Sequence, residues 1–70
     1  MILDSSAIVA ILLKEPEHEE LQAALAAALS LGVGTPTLLE TAIVLSARLE
    51  RDARGVVARF LQETGVVVVP

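Results

Sequence analysis

The chain has 70 residues, a net charge of −4 at neutral pH and no cysteine, so it forms one small domain at most and contains neither a disulfide nor a cysteine-based zinc site. Hydrophobic residues make up 54% of the chain and aromatic residues 1%, which excludes a disordered segment and a surface of aromatic rings that stack on nucleotides. This apolar content is high for so small a unit, and it predicts that a larger domain or a partner covers part of the apolar surface.

The charge is divided unevenly along the chain. In residues 1–47 one lysine faces six acidic residues, whereas in residues 48–70 four arginines face three acidic residues. The arginines could form a local ridge that contacts phosphates, although an ordinary solvated surface is favoured. No apolar stretch approaches the ~20 residues of a membrane span, and the N-terminus lacks the basic start of a signal peptide. We therefore expect a cytoplasmic protein.

The first half of the chain predicts a strand, two helices and a second strand. A short apolar strand ends on Asp4, and the apolar run at residues 7–13 predicts a buried helix capped by Asp4 or Ser5. Pro16 suits the first residue of a second helix, in which leucines recur every four residues. Residues 32–35 then predict a helix cap followed by a very short strand.

The second half predicts two more helices and a third strand. The third helix begins at Thr37, and Asp52 caps a fourth helix over residues 53–64. Gly65 ends the fourth helix in the left-handed conformation. The valines at residues 66–69 are typical of a parallel strand buried on both faces. The alternation of strands and helices predicts an α/β fold with a parallel sheet and right-handed crossovers.

Two carboxylates are placed near the same edge of the predicted sheet. Asp4 ends the first strand, and Glu40 lies near the start of the helix after the second strand. Ligands of open parallel sheets bind at this edge, and carboxylate oxygens suit Mg²⁺ or Mn²⁺. The same residues also fit purely structural roles, with Asp4 capping a helix and Glu40 forming a capping box with Thr37. His18 is interpreted as a solvated surface residue.

Several segments together resemble one protein family. The opening Met-Ile-Leu-Asp-Ser-Ser-Ala-Ile-Val-Ala at residues 1–10 resembles the start of PIN-domain proteins, and residues 15–17 are similar to their loop before the second helix. Residues 35–45 resemble their third-helix motif, and residues 65–70 resemble their third strand. The variant is closest in pattern to VapC-type toxins of bacterial toxin–antitoxin pairs.

The resemblance implies a metal-dependent endoribonuclease. It assigns Asp4 and Glu40 as catalytic residues that bind Mg²⁺ or Mn²⁺, and Ser6 as the hydroxyl that supports Asp4. It further implies an RNA substrate, a cognate antitoxin as partner and a homodimer.

The resemblance also implies a three-layer fold with strand order 3-2-1-4-5, of which residues 1–70 are the N-terminal half. The family's other acidic residues follow the third strand, so we expect this chain alone to be inactive or nearly so. An alternative is a non-catalytic module, derived from a PIN domain, that binds an antitoxin or a partner chain. A third, less favoured reading is a phosphatase-like domain with Asp4 as nucleophile, because Ser6 occupies the place where a second aspartate would be expected.

Overall fold

A computed structural model describes all residues from Met1 to Pro70. It contains three short strands and four helices in the predicted order, which confirms the α/β fold class. The elements are β1 (Ile2–Leu3), α1 (Ser5–Leu12), α2 (His18–Ala27), β2 (Gly32–Gly34), α3 (Thr35–Leu49), α4 (Arg54–Thr64) and β3 (Val67–Val69).

The strands form one parallel sheet in the order β1-β2-β3. Gly32 of β2 pairs with Ile2 on one side and with Val67 on the other. Both crossovers therefore step in the same direction across the sheet. Since such crossovers are right-handed, all four helices lie on one face of the sheet.

The core lies between the sheet and this helix layer. α1 is central to it, because it packs against both α2 and α3 and buries four consecutive residues. One cluster of buried side chains joins the strands to the helices: Leu3, Ile8, Ile11, Val33, Phe60 and Val66. A second cluster joins α1, α3 and α4: Val9, Leu45, Ala53 and Val57.

The other face of the sheet is open to solvent. Ile2 is 75% exposed and Val67 is 64% exposed, and both flank Gly32 on that face. The prediction that residues 66–69 are buried on both faces is therefore wrong, since only Val66 is buried. Val67 and Val69 are exposed on this face because neither crossover passes over it. None of the four helices combines the length and apolar content that a bilayer span requires.

The start of α2 differs from the prediction. The helix begins at His18 rather than at Pro16, because the His18 amide closes a turn by donating to the carbonyl oxygen of Glu15 at 2.9 Å. The His18 ring is half-buried and its Nδ1 lies 2.8 Å from the same oxygen, so the residue is less solvated than expected. α2 ends at Ala27, which leaves Leu29 outside the helix and fully exposed.

The start of α3 also differs. The helix begins at Thr35, with Pro36 in its first turn, and no side chain caps it. The predicted capping box between Thr37 and Glu40 is absent, because the Glu40 carboxylate accepts its hydrogen bond from Ser5 of α1. A tertiary contact has replaced the local one.

The ends of α4 largely follow the prediction. The Asp52 carboxylate accepts a hydrogen bond from the Arg54 amide at 3.0 Å, although Ala53 is the residue at the N-cap position. The Arg54 side chain also binds Asp52 and lowers the pKa of that carboxyl to about 2. Gly65 ends the helix at a φ of 69°, as predicted.

Candidate metal centre

Asp4 joins the end of β1 to the start of α1. Its backbone is extended, and its side chain caps the helix. Oδ1 accepts hydrogen bonds from the Ala7 amide at 2.8 Å and from the Ser6 hydroxyl at 2.8 Å. The predicted cap is confirmed, and Ser6 contacts Asp4 in the manner expected of a supporting hydroxyl.

These hydrogen bonds favour the charged form of Asp4. The Ala7 amide, followed by the Ser6 hydroxyl, holds the pKa of the Asp4 carboxyl below its ordinary value of 3.8. Desolvation opposes the shift only weakly, since Asp4 is exposed. The carboxylate is thus anionic at neutral pH, as a ligand for a divalent cation must be.

Glu40 is brought to this place by Ser5. The Ser5 hydroxyl of α1 donates to Glu40 Oε1 of α3 at 2.6 Å. Since Ser5 directly follows Asp4, this bond holds the Glu40 carboxylate at the start of α1, next to the carboxyl end of β1. The sequence suggested Ser5 only as a helix-start residue; the adjacent pair of serines was the signal that each could support a different acid.

Carboxylate oxygens are suitable ligands for a hard divalent cation, but the site supplies only two carboxylates. Each uses one oxygen in the hydrogen bonds above, which leaves Asp4 Oδ2 and Glu40 Oε2 to face a ligand. No third acidic or histidine side chain joins them. Magnesium keeps several water ligands and is often bound by one or two carboxylates together with substrate phosphates, so this donor set fits part of such a site.

A cleft of about 290 Å³ adjoins Ser5 and Ser6, the serines that bind Glu40 and Asp4, although neither carboxylate lines it. It runs between α1 and α3 and is lined by Ser5, Ser6, Val9, Glu15, Val44 and Arg48. The two serines that hold the carboxylates form part of its wall. At the far end, Arg48 Nη2 lies 3.4 Å from Glu15 Oε2. The cleft therefore runs from the two serines to the positively charged Arg48 side chain.

A larger cavity of about 540 Å³ lies elsewhere. It is bounded by α1, α2 and α4, and neither Asp4 nor Glu40 lines it. Its wall is mainly apolar, with Leu25, Leu31 and Phe60 among the lining residues. This cavity contains no paired carboxylates, so the acidic edge of the sheet is the better candidate for chemistry.

The chain is similar to a known protein family. The family model of the PIN domain matches residues 1–70, which is the entire chain. No curated protein matches the chain.

Proposed function

Because the chain belongs to the PIN-domain family, we propose that it is part of a metal-dependent endoribonuclease toxin of the VapC type, which hydrolyses RNA phosphodiester bonds. PIN domains are generally nucleases that depend on a divalent metal. The observation that supports the proposal here is the hydrogen bond between Ser5 and Glu40, since it holds Glu40 against the residue that follows Asp4, at the edge of the sheet where α/β folds bind ligands.

Each residue of the site has a defined task in this proposal. Asp4 Oδ2 and Glu40 Oε2 bind Mg²⁺ or Mn²⁺, while Ser6 and the Ala7 amide fix the orientation of Asp4. Ser5 fixes Glu40 from the opposite helix. A divalent cation bound there would supply a Lewis acid that activates water and stabilises the leaving oxygen.

The proposal includes partners and a limit on activity. Two carboxylates bind Mg²⁺ weakly, so we expect the 70 residues by themselves to cleave RNA slowly or not at all unless further acids are supplied. The intact toxin would act as a homodimer and would be silenced by a cognate antitoxin that covers the helices and the acidic cleft.

The second candidate is a non-catalytic interaction module. The observation in its favour is the uncovered apolar face of the sheet, which includes Ile2 and Val67. Exposed apolar surface of this kind marks interaction sites in soluble proteins. This module would bind an antitoxin or a partner chain without performing chemistry.

Manganese binding tests the metal site directly. We expect Asp4→Asn and Glu40→Gln each to lower Mn²⁺ affinity at least about tenfold, measured by titration with electron paramagnetic resonance. Asparagine keeps the helix cap, so the first variant isolates the charge. Glu19→Gln is the matched control, because Glu19 is an exposed acid on α2 outside the site.

Equal Mn²⁺ affinity in the wild type and in both site variants would overturn the metal site and favour the interaction module. An RNA cleavage assay with Mn²⁺ completes the test. Cleavage by the wild type that disappears in Asp4→Asn would support the endoribonuclease and contradict the expectation that these 70 residues are inactive alone.

A further inference from the structure

The α1–α3 cleft extends from the two serines that bind Asp4 and Glu40 to Arg48. Glu40, Val44 and Arg48 follow one another at intervals of four residues on α3, so they lie along one side of the helix. The rise from Glu40 to Arg48 is about 12 Å. Val44 and Arg48 line the cleft, and Ser5 at its other end holds Glu40. A single groove thus connects the two serines that bind the candidate metal ligands to a guanidinium group.

The contact that holds Arg48 is weak. One nitrogen of the guanidinium approaches one oxygen of Glu15 at 3.4 Å, and the two side chains are 55% and 32% exposed. An exposed pair with a single long contact contributes little to stability. Arg48 can therefore exchange Glu15 for another anion at low cost, and a phosphate offers it a bidentate, charge-assisted contact.

The other paired arginines are placed differently. Arg54 binds both carboxylate oxygens of its near neighbour Asp52, and Arg59 pairs with Glu63 within α4. Neither arginine lines the cleft beside the acidic pair. Arg48 alone among these three combines a loose partner with a place in that groove.

We propose that Arg48 binds a backbone phosphate of the RNA strand, a few nucleotides from the phosphate at Asp4 and Glu40. Until RNA enters the α1–α3 cleft, the Glu15 carboxylate pairs with the Arg48 guanidinium. The inference rests on the proposed endoribonuclease function and names the residue that aligns its substrate. The distance of about 12 Å corresponds to a few nucleotides of a strand. In this acidic chain, one well-placed cation offsets part of the repulsion that phosphates meet at the two carboxylates.

The first arm of the test compares two arginine variants. Binding of a fluorescent single-stranded RNA is measured by anisotropy over a range of salt concentrations, with Ca²⁺ in place of Mn²⁺ to prevent cleavage. We expect Arg48→Ala to lower RNA affinity about tenfold and to reduce the slope of log affinity against log salt by about 0.7, the contribution of one phosphate contact. Arg59→Ala removes the same charge from an ion pair outside the cleft, and we expect a much smaller effect.

The second arm changes the acidic partners of the two arginines, and the expected change in RNA affinity has the opposite sign. Glu15→Gln frees Arg48, so we expect RNA affinity to rise severalfold. Glu63→Gln changes the net charge by the same amount and frees Arg59, and we expect little change. We expect circular dichroism to show that all four variants are folded, because exposed ion pairs contribute little to stability.

The outcomes separate this inference from the function on which it rests. If Arg48→Ala and Arg59→Ala weaken binding equally, or if Glu15→Gln acts no differently from Glu63→Gln, Arg48 is not the phosphate ligand, although Mn²⁺ binding at Asp4 and Glu40 can still support the nuclease. If the wild type binds neither Mn²⁺ nor RNA, both proposals are overturned.

Discussion

Asp4 shows how one residue can serve the fold and the candidate site together. Oδ1 caps α1 through the Ala7 amide, and Oδ2 accepts no hydrogen bond within the chain. The sequence presented helix capping and metal binding as competing interpretations of Asp4. Because the two tasks use different oxygens of the same carboxylate, they are compatible.

The cap can be tested through stability. We expect Asp4→Ala to lower the free energy of unfolding by about 1 kcal/mol, the usual effect of removing an N-cap, and Asp4→Asn to lower it less, because asparagine also caps helices. Urea denaturation followed by circular dichroism at pH 7 measures both values. Equal losses in the two variants would show that the charge, rather than the cap, stabilises the helix.

The same residue gives the chain a dependence on acid. The pKa of Asp4 is lower in the folded chain than its ordinary value of 3.8, so its charge stabilises the fold above that value. This contribution is lost as the pH falls through the lower folded pKa. The difference in unfolding free energy between the wild type and Asp4→Asn should therefore shrink as the pH falls from about 5 to about 2. Urea denaturation at several pH values across this range measures the difference. A constant difference would exclude a charge effect.

At the scale of elements, α3 has two contrasting sides. Leu45 is fully buried between α1 and α4, whereas Leu39 on the same helix is 65% exposed. Apolar residues occur around much of this helix, but only one side of it meets the core. The outer side remains apolar and solvated.

This contrast predicts two different results from the same substitution. Leu45→Ala should cost about 2–5 kcal/mol of unfolding free energy, because it leaves a cavity in the second core cluster. Leu39→Ala should change the free energy by about 0.5 kcal/mol or less. Thermal melts followed by circular dichroism compare the stabilities of the two variants. Loss of helical signal in Leu45→Ala already at low temperature would agree with the larger value. Equal melting temperatures would contradict the placement of Leu45 in the core.

At the scale of the whole molecule, the sheet is covered on one face only. Ile2 and Val67 stand on the open face, and β1 is an unpaired edge of the sheet. Open edges and exposed apolar patches both favour association. Part of the high apolar content of the chain is thereby accounted for, since eight large apolar side chains remain exposed, among them the three valines of β3.

We therefore expect the chain to associate with itself as its concentration rises, which the proposed homodimer also requires. Val67→Lys places a charge on the open face and should shift the sedimentation velocity profile towards the monomer. Gln62→Lys adds the same charge to an exposed position on α4 and should leave the profile unchanged. Identical profiles for the two variants would show that association does not use the open face.

The sequence by itself determined the features that depend on near neighbours. The alternation of strands and helices, the cap at Asp4 and the left-handed end at Gly65 were all predicted, because each follows from residues within a few positions of one another. The family pattern likewise pointed to Asp4, Ser6 and Glu40.

Only the tertiary structure decided which of these residues meet and which surfaces are covered. One of the two interpretations of Glu40 paired it with Thr37, three residues away, but it bonds with Ser5, 35 residues away, because α1 packs against α3. The valines of β3 have the pattern of a buried strand, yet they are exposed. The exposure of Val67 and Val69 depends on the direction of two crossovers, which place every helix on the opposite face, and no local pattern of residues carries that information.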